Sequence, residues 1–417
     1  MRQGGSARGL SRRGLVGAGA AVGALQVTAP YLLSARGEQP VRIGMIDPLT
    51  GVYATLAVSE VEGAKLAVAE INKSGGVLGR ELQLLVEDSA NDVGTGVQKA
   101  RKLIDRDRVD VIFADVNSAI AYAISQVTNE KKVFHIVCGG HTDPITGKDC
   151  KWNVFRVCNT TTMDAAAITD TLVQTYGKKW FFITPDYAYG HSVQAAFVKR
   201  LTAHGGTYTG DLLPLGTADY SASLIKAKAY GPQVLINTMG GLDQVNSLKQ
   251  FVQFGLQKNM AVGGSLYELQ IIQAVPKEAQ IGWWTMEWWW NQPNVPEVAR
   301  FVAAIRAATG KPAAARHWFG YLSVHAVKLA AERAKSLAGP AMARALEDLR
   351  LPPEVALQPG EIYFRAGDHQ LMSNVFVGEA HPPEGDPANV FTVHEMVPGP
   401  TAAGTVADTG CHMAYPA

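Results

Sequence analysis

"VRIGMIDPLTGVYATLAVSEVEGAKLAVAEINKSGGVLGRELQLLVEDSAND" (Val41 to Asp92) changes its hydrophobic period twice. It opens with a short apolar run, VRIGMID, which reads as a strand and ends in the turn PLTG. Ala57, Val61, Ala64, Val68 and Ile71 then recur at spacings of 4, 3, 4 and 3, one face of an amphipathic helix. NKSGG (Asn72 to Gly76) stops that helix, and ELQLLVED forms the next strand. Strand, helix and strand joined by short turns make a βαβ unit, which implies a parallel sheet covered on both faces.

The same alternation continues outward. A helix over residues 95–106, the strand VDVIFAD, a helix from Asn117 to Lys131 and the strand VFHIVC follow in turn. A second α/β run occupies about residues 161–280, with WFFIT (Trp180 to Thr184), QVLINT (Gln233 to Thr238) and AVGGS as strands. A helical region spans Pro296 to Leu349, and the tail is Pro/Gly-rich strand and loop. The expected class is α/β, with two Rossmann-like lobes built on parallel-sheet cores. Ligands of parallel sheets gather beyond the carboxyl ends of the strands. The loops there are Asp47 to Thr55, Asp115 to Ala119, Gly139 to Asp143, Pro185 to Gly190, Met239 to Leu242 and Gly263 to Tyr267.

The 417 residues are 47% apolar and 18% charged with a net charge of +1, so no basic excess points to nucleic acid. Residues 1–35 hold Arg2, Arg8, Arg12 and Arg13 and no acid; without those four charges the net is −3. SRRGLVGAGAAVGAL (Ser11 to Leu25) pairs twin arginines with a mild Gly/Ala-rich run, which reads as a twin-arginine export signal cleaved near Ser34-Ala35. Its Gly17, Gly19 and Gly23 imitate a dinucleotide loop, but the spacing is GxGxxxG and no strand precedes it. The four cysteines lie beyond the signal at spacings of 12, 8 and 253, with no CxxC knuckle and none placed to carry a lipid anchor. A soluble periplasmic protein in a disulfide-permissive compartment is expected.

No GxSxG elbow, no Walker GxxxxGK[ST] and no HExxH is present, and the ten histidines are scattered. His141, beside Gly139 and Gly140 at a strand end, is the histidine of interest; a lone histidine otherwise reads as structural. Asp186 beside Tyr187 and Tyr189 reads as a helix cap before it reads as a catalytic acid. No nucleophile, base and oxyanion set assembles, so no enzyme, cofactor or metal is expected.

These stretches, with VFHIVCGGHTDPITGKDC, DYAYGH and GEIYFRAGDHQL, resemble the substrate-binding proteins of branched-chain-amino-acid-type ABC transporters, the type I periplasmic binding fold. The resemblance covers nearly all of residues 41–380. WFFITPDYAYGH, TGKDC and the late GCHM are similar to a subgroup from organisms that take up aromatic acids. The resemblance implies three crossovers, near Val157 to Thr161, Trp283 to Trp289 and Arg365 to Leu371. Lobe one would then hold residues 41–158 and 286–367, and lobe two residues 159–285 and 368–417 with the tail. It implies an ABC permease and its ATPase subunits, on separate chains, as partners. The subgroup resemblance favours a Cys150–Cys411 disulfide among the three complete pairings open to four cysteines, with Cys138 and Cys158 free or joined.

Carried over residue by residue, the family's serine-bearing loop matches DVNSA, with Asn117 or Ser118 as donor to a carboxylate. The next loop matches CGGHT, where Gly139 and Gly140 let backbone approach a ligand and His141 replaces the usual threonine. The tyrosine of the second lobe matches Tyr189. Two positions depart: a second tyrosine falls near Leu242, and the acid that holds an α-ammonium falls near Ser265. Glu268 and Asp243 lie close by but off the matched position. Without a matched anion a buried ammonium is poorly compensated. The expected ligand is therefore a small carboxylate with an aromatic body, enclosed by Tyr53, Tyr189, Tyr267 and a tryptophan. The alternatives are a branched-chain amino acid or amide, a ligand-sensing role in a signalling complex, or an exported enzyme using Asp186 or His141.

GWWTMEWWW (Gly282 to Trp290) carries five of the chain's eight tryptophans at the second crossover. Extended alternation would set Trp284, Met286, Trp288 and Trp290 on one face and Trp283, Thr285, Glu287 and Trp289 on the other. Trp288 or Trp289 is expected at the cleft mouth, with the others packing the hinge.

Overall fold

The computed structural model describes residues 39–416, so the export-signal segment lies outside the described residues. Lobe one begins with β1 (Val41–Asp47), α1 (Ala54–Lys73), β2 (Leu82–Asp88), α2 (Val93–Arg101), β3 (Val111–Ala114), α3 (Ser118–Glu130), β4 (Phe134–Val137) and β5 (Val154–Arg156). The five strands form a parallel sheet in the order β2-β1-β3-β4-β5. Strand alternation sends Val111 and Phe113 to one face and Ile112 and Ala114 to the other, and both faces are buried in apolar clusters. This double burial is why β3 and β4 read as continuous apolar runs.

Lobe two takes α4 (Thr161–Tyr176), β6 (Lys179–Pro185), α5 (Ala188–Ala203), β7 (Thr207–Leu213), α6 (Ser221–Tyr230), β8 (Val234–Asn237), α7 (Gly241–Gln253), β9 (Ala261–Gly264), α8 (Leu269–Ala274) and β10 (Trp283–Met286). The chain then returns to lobe one as α9 (Pro296–Thr309), α10 (Ala315–Ala334), α11 (Gly339–Leu346) and α12 (Pro353–Ala356). It crosses again to add β11 (Val375–Ala380) and β12 (Phe391–Val397), then α13 (Gly399–Ala403) and α14 (Val406–Thr409). The second sheet runs β12-β11-β10-β9-β8-β6-β7, parallel from β10 to β7 and antiparallel at β11 and β12.

The first and third crossovers run side by side. Arg156 and Gln370 form a parallel bridge, with the Arg156 amide donating to His369 (3.1 Å) and the Leu371 amide donating to Arg156 (3.0 Å). The buried Arg156 guanidinium donates to Gln370 Oε1 (2.7 Å), to the carbonyls of Gly140 (3.2 Å) and Thr142 (2.6 Å), and to Thr146. Gln370 passes its own amide to the Cys158 carbonyl (2.7 Å), so one arginine and one glutamine tie two crossovers to the loop after β4.

The tail does not stay with lobe two. α13 packs on α4, but Cys411 is disulfide-bonded to Cys150 of lobe one. Tyr415 lies against Trp152 and donates to Glu347 (2.7 Å). Cys138 and Cys158 are free and buried. No helix among the described residues is long and apolar enough to cross a membrane.

Candidate ligand cleft between the lobes

The position of the cleft follows from how α1 meets α10. A Cβ on Gly63 would lie 1.9 Å from the His317 carbonyl, and one on Gly320 would lie 1.9 Å from the Glu60 carbonyl. These two glycines let the helices cross backbone to backbone, which sets Glu60 of α1 beside Arg316 of α10. Arg316 faces the small space between the lobes, while Glu60 is bonded to its Nη1 and does not itself line that space. Tyr53, Leu56, Val116, His141 and Arg316 line it from lobe one. Tyr187, Tyr189, Met239, Gln244, Leu266, Glu268 and Ile271 line it from lobe two.

Arg316 is the centre of this wall. Its Nε donates to both carboxylate oxygens of Glu268 (2.9 Å each), Nη2 donates to Glu268 Oε1 (2.7 Å), and Nη1 donates to Glu60 Oε1 (2.7 Å). All three side chains are buried, and the Arg316–Glu268 pair joins one lobe to the other. Burial disfavours the guanidinium cation, but Glu268 and Glu60 outweigh it and hold Arg316 firmly charged. Burial pushes the Glu60 carboxyl up to about 7, against the pull of Arg316. Asp47 and Asp115, equally buried beside it, are raised well above the carboxylate range by desolvation, with neighbouring acids adding to the effect.

Phenols cover the rest. Tyr53 and Tyr187 meet hydroxyl to hydroxyl across the cleft (2.7 Å), and Tyr189 bonds Ser265 (3.0 Å). Desolvation raises the pKa of all three tyrosines, so they remain neutral donors. His141 Nε2 lies 2.8 Å from Glu287 Oε2, and both side chains are buried.

Of the residues expected from the sequence, Tyr53, His141 and Tyr189 line the cleft. Asn117 instead caps α3, its Oδ1 accepting from the Ala119 amide (2.9 Å), and Ser118 accepts from the Thr142 amide (3.3 Å). Gly139 admits protein rather than ligand: a Cβ there would lie 2.2 Å from Arg316 Nη1 and 2.6 Å from Glu60 Oε1. Gly140 gives its carbonyl to Arg156. Ser265 stands behind Tyr189, and Tyr267 packs on Trp284 and donates to the Ala279 carbonyl (3.1 Å). Leu242 points to solvent, 54% exposed, and only its backbone amide reaches across the lobes, donating to the Val52 carbonyl (3.0 Å). Asp186 does not cap α5; it pairs with His191 (2.9 Å) at the surface.

The tryptophan expectation is corrected. β10 ends at Met286, so the extended alternation does not carry on to Trp288. Trp288 is buried in lobe one, edge-on to Phe301 and bonded to the Leu357 carbonyl (2.8 Å). Trp289 packs on Phe391 in lobe two, Trp283 stacks on His394, and none of the five lines the cleft. Glu268, noted near Ser265 but off the matched position, lines the cleft, whereas Glu60, Gln244 and Arg316 were missed, though Arg316 and Glu60 did leave signals. Arg316 interrupts the apolar run AAARHWFGYLSV (Ala313 to Val324), and Glu60 sits at helical spacing between Ala57 and Ala64 on the buried face of α1.

The family model described as "Periplasmic binding protein" matches residues 40–386. Leu/Ile/Val-binding protein homolog 3 of Brucella melitensis is 28% identical over 324 residues, 76% of this chain and 85% of that protein. A periplasmic binding protein from Burkholderia mallei superposes with a TM-score of 0.84 at 26% identity, over 89% of this chain and 98% of that one. A solute binding protein of an ABC transporter from Rhodopseudomonas palustris BisB5, solved with 3,4-dihydroxy benzoic acid, has a TM-score of 0.78 at 22% identity, over 87% and 98%. The two-lobed α/β chain with a charged cleft at its centre thus belongs to the periplasmic binding protein family.

Proposed function

We propose that the protein is an exported receptor that closes on a small carboxylate with an aromatic body and presents it to an ABC importer, whose permease and ATPase subunits are separate chains. The observation that carries this reading is Arg316, a fully buried guanidinium on the lobe-one wall, bidentate to a carboxylate that belongs to lobe two. Opening the lobes parts Arg316 from Glu268 and exposes a planar fork suited to a carboxylate. A ligand carboxylate then takes the place of Glu268, and Tyr53, Tyr187 and Tyr189 offer flat walls to an aromatic ring. A ligand that touches both lobes favours the closed form through contacts available only there.

A second reading, an amino acid, is favoured by Glu268 itself. The loop after β9 does bring an acid into the cleft, three residues beyond Ser265. A zwitterion would satisfy Arg316 with its carboxylate and Glu268 with its ammonium.

Thermal shift of refolded, ligand-stripped protein separates the two. A ligand at 100 times its Kd stabilises by about 2.7 kcal/mol. Benzoates and hydroxybenzoates are expected to raise Tm; a rise with leucine, valine or phenylalanine alone would overturn the first reading.

A further inference from the structure

We propose that Gln244 is a specificity-determining residue of the cleft, reading a hydroxyl or amide substituent on the body of the ligand. The inference rests on the cleft's being the ligand site and deepens that reading. Gln244 lies on the first turn of α7, is wholly buried and lines the cavity. Neither its Oε1 nor its Nε2 has a hydrogen-bond partner among the described residues.

Each of the other three buried glutamines uses at least one end of its amide: Gln280 donates to the Ile272 carbonyl (2.8 Å) and leaves only its Oε1 unpaired. Gln358 donates to the Glu287 carbonyl (2.7 Å) and accepts from the Asn374 amide (2.8 Å). Gln370 accepts from Arg156 and donates to the Cys158 carbonyl, so both of its ends are also used. A buried amide with no partner is destabilising, and folded proteins rarely keep one in place without a reason.

The geometry of α7 holds Gln244 where it is. The helix starts hard against lobe one: a Cβ on Gly240 would lie 3.2 Å from the Tyr53 ring, and one on Gly241 would lie 2.1 Å from the Val52 carbonyl. The first turn of α7 is thereby seated on the opposite lobe when the lobes meet. Gln244, at the end of that turn, faces the cavity shared with Arg316. The amide offers one acceptor and two donors and carries no charge. It is suited to a neutral hydroxyl or amide, which donates to Oε1 and accepts from Nε2, while Arg316 keeps the carboxylate. The ligand is then polar at two ends and flat between them. A site built to pair a hydroxyl rejects the analogue that lacks it, because its own buried groups are left unpaired.

The test uses mature protein carrying Gln244→Met, which keeps the length of the side chain and removes its polar atoms, with Gln244→Leu as a second variant. Two quantities are measured: the Tm of stripped protein, and the ratio of Kd values within ligand pairs that differ by one hydroxyl. The pairs are benzoate with 4-hydroxybenzoate and phenylalanine with tyrosine. Parent protein is expected to prefer the hydroxylated member about 10-fold or more, and both variants to bring that ratio to about one. Stripped variants are expected to melt a few degrees higher, because the unpaired amide is gone. A lower Tm in both variants, or a hydroxyl preference that survives them, would overturn the proposal. If the preference and its loss occur in the amino-acid pair alone, Gln244 keeps its role and the aromatic-acid reading falls. If benzoates bind without distinguishing the hydroxyl, the reverse holds. If no pair binds, the direction of the Tm change decides.

Discussion

Arg156 and Arg316 are both withdrawn from solvent, one where two crossovers run side by side and the other in the wall of the cleft. Arg156 is held by neutral oxygens: two backbone carbonyls, a glutamine and a threonine. Burial lowers its pKa, opposed by Cys158 and then by Asp143, Asp368 and Glu287, none of which is bonded to it. Arg316 is held by two carboxylates and its pKa is raised. The difference lies in what can be exchanged. Carbonyls of the hinge cannot leave Arg156 without unfolding, whereas Glu268 sits on the other lobe and parts from Arg316 whenever the lobes open. One arginine is a pivot, and the other is a socket.

The comparison can be broken by substitution. Arg156→Met is expected to have the largest effect, about 3 kcal/mol or more of lost stability by denaturant unfolding, since it strands the Gly140 and Thr142 carbonyls and Gln370 together. No change at a partner can rescue it, because two of the partners are backbone. Arg316→Met should cost about 2–4 kcal/mol by leaving buried carboxylates unpaired, and should abolish carboxylate binding in calorimetry. Adding Glu268→Met should restore much of the stability, as replacing a buried ion pair by apolar groups often does, while binding stays lost. Rescue at Arg156, or none at Arg316, would erase the distinction.

A smaller effect is carried by pH. The Glu60 carboxyl titrates at about 7 in the folded protein against an ordinary value of 4.5. The folded state therefore holds its proton more tightly, so the contribution is complete below 4.5 and is lost as pH rises through 7, at most about 3 kcal/mol. Asp243, raised to about 6, has the same sign. Buried His135 and His325, lowered to about 3 and about 4, have the opposite sign: their contribution is present above 6.5 and is lost as pH falls through those values. The Tm difference between parent and Glu60→Gln across pH 5–8 isolates the Glu60 share, and a constant difference would refute it. The smallest effect is expected of Tyr53→Phe. It removes one hydroxyl bridge between the lobes, worth about 1 kcal/mol, and should weaken ligand binding several-fold.

The strands were readable because each inner one is buried on both faces and needs an unbroken apolar run, as Val111–Ala114 and Val234–Asn237 show. β7 was passed over because it is an exposed edge whose residues are mostly polar. Loops at strand ends pointed to Tyr53, His141 and Tyr189. Glu60, Arg316 and Gln244 lie within helices, and which turn of each helix reaches the cleft or the arginine in its wall depends on the glycine crossing and on how the lobes meet. Neither has a local pattern. The tryptophans misled for a related reason: alternation holds only while the strand lasts, and β10 stops two residues before Trp288.

The Cys150–Cys411 bond makes the chain between them a ring of covalent bonds that holds every strand of the second sheet. A single proteolytic nick, in the exposed 382–387 loop for example, would leave both fragments joined until a reductant is added. Denaturant under oxidising conditions unfolds lobe two as a loop pinned at both ends, a smaller search on the way back than an open chain faces. Stripping a bound ligand by unfolding should therefore be done without thiols. The same step under reductant would open that bond and leave four thiols, three of them buried in the native protein, in a chain free to pair them wrongly.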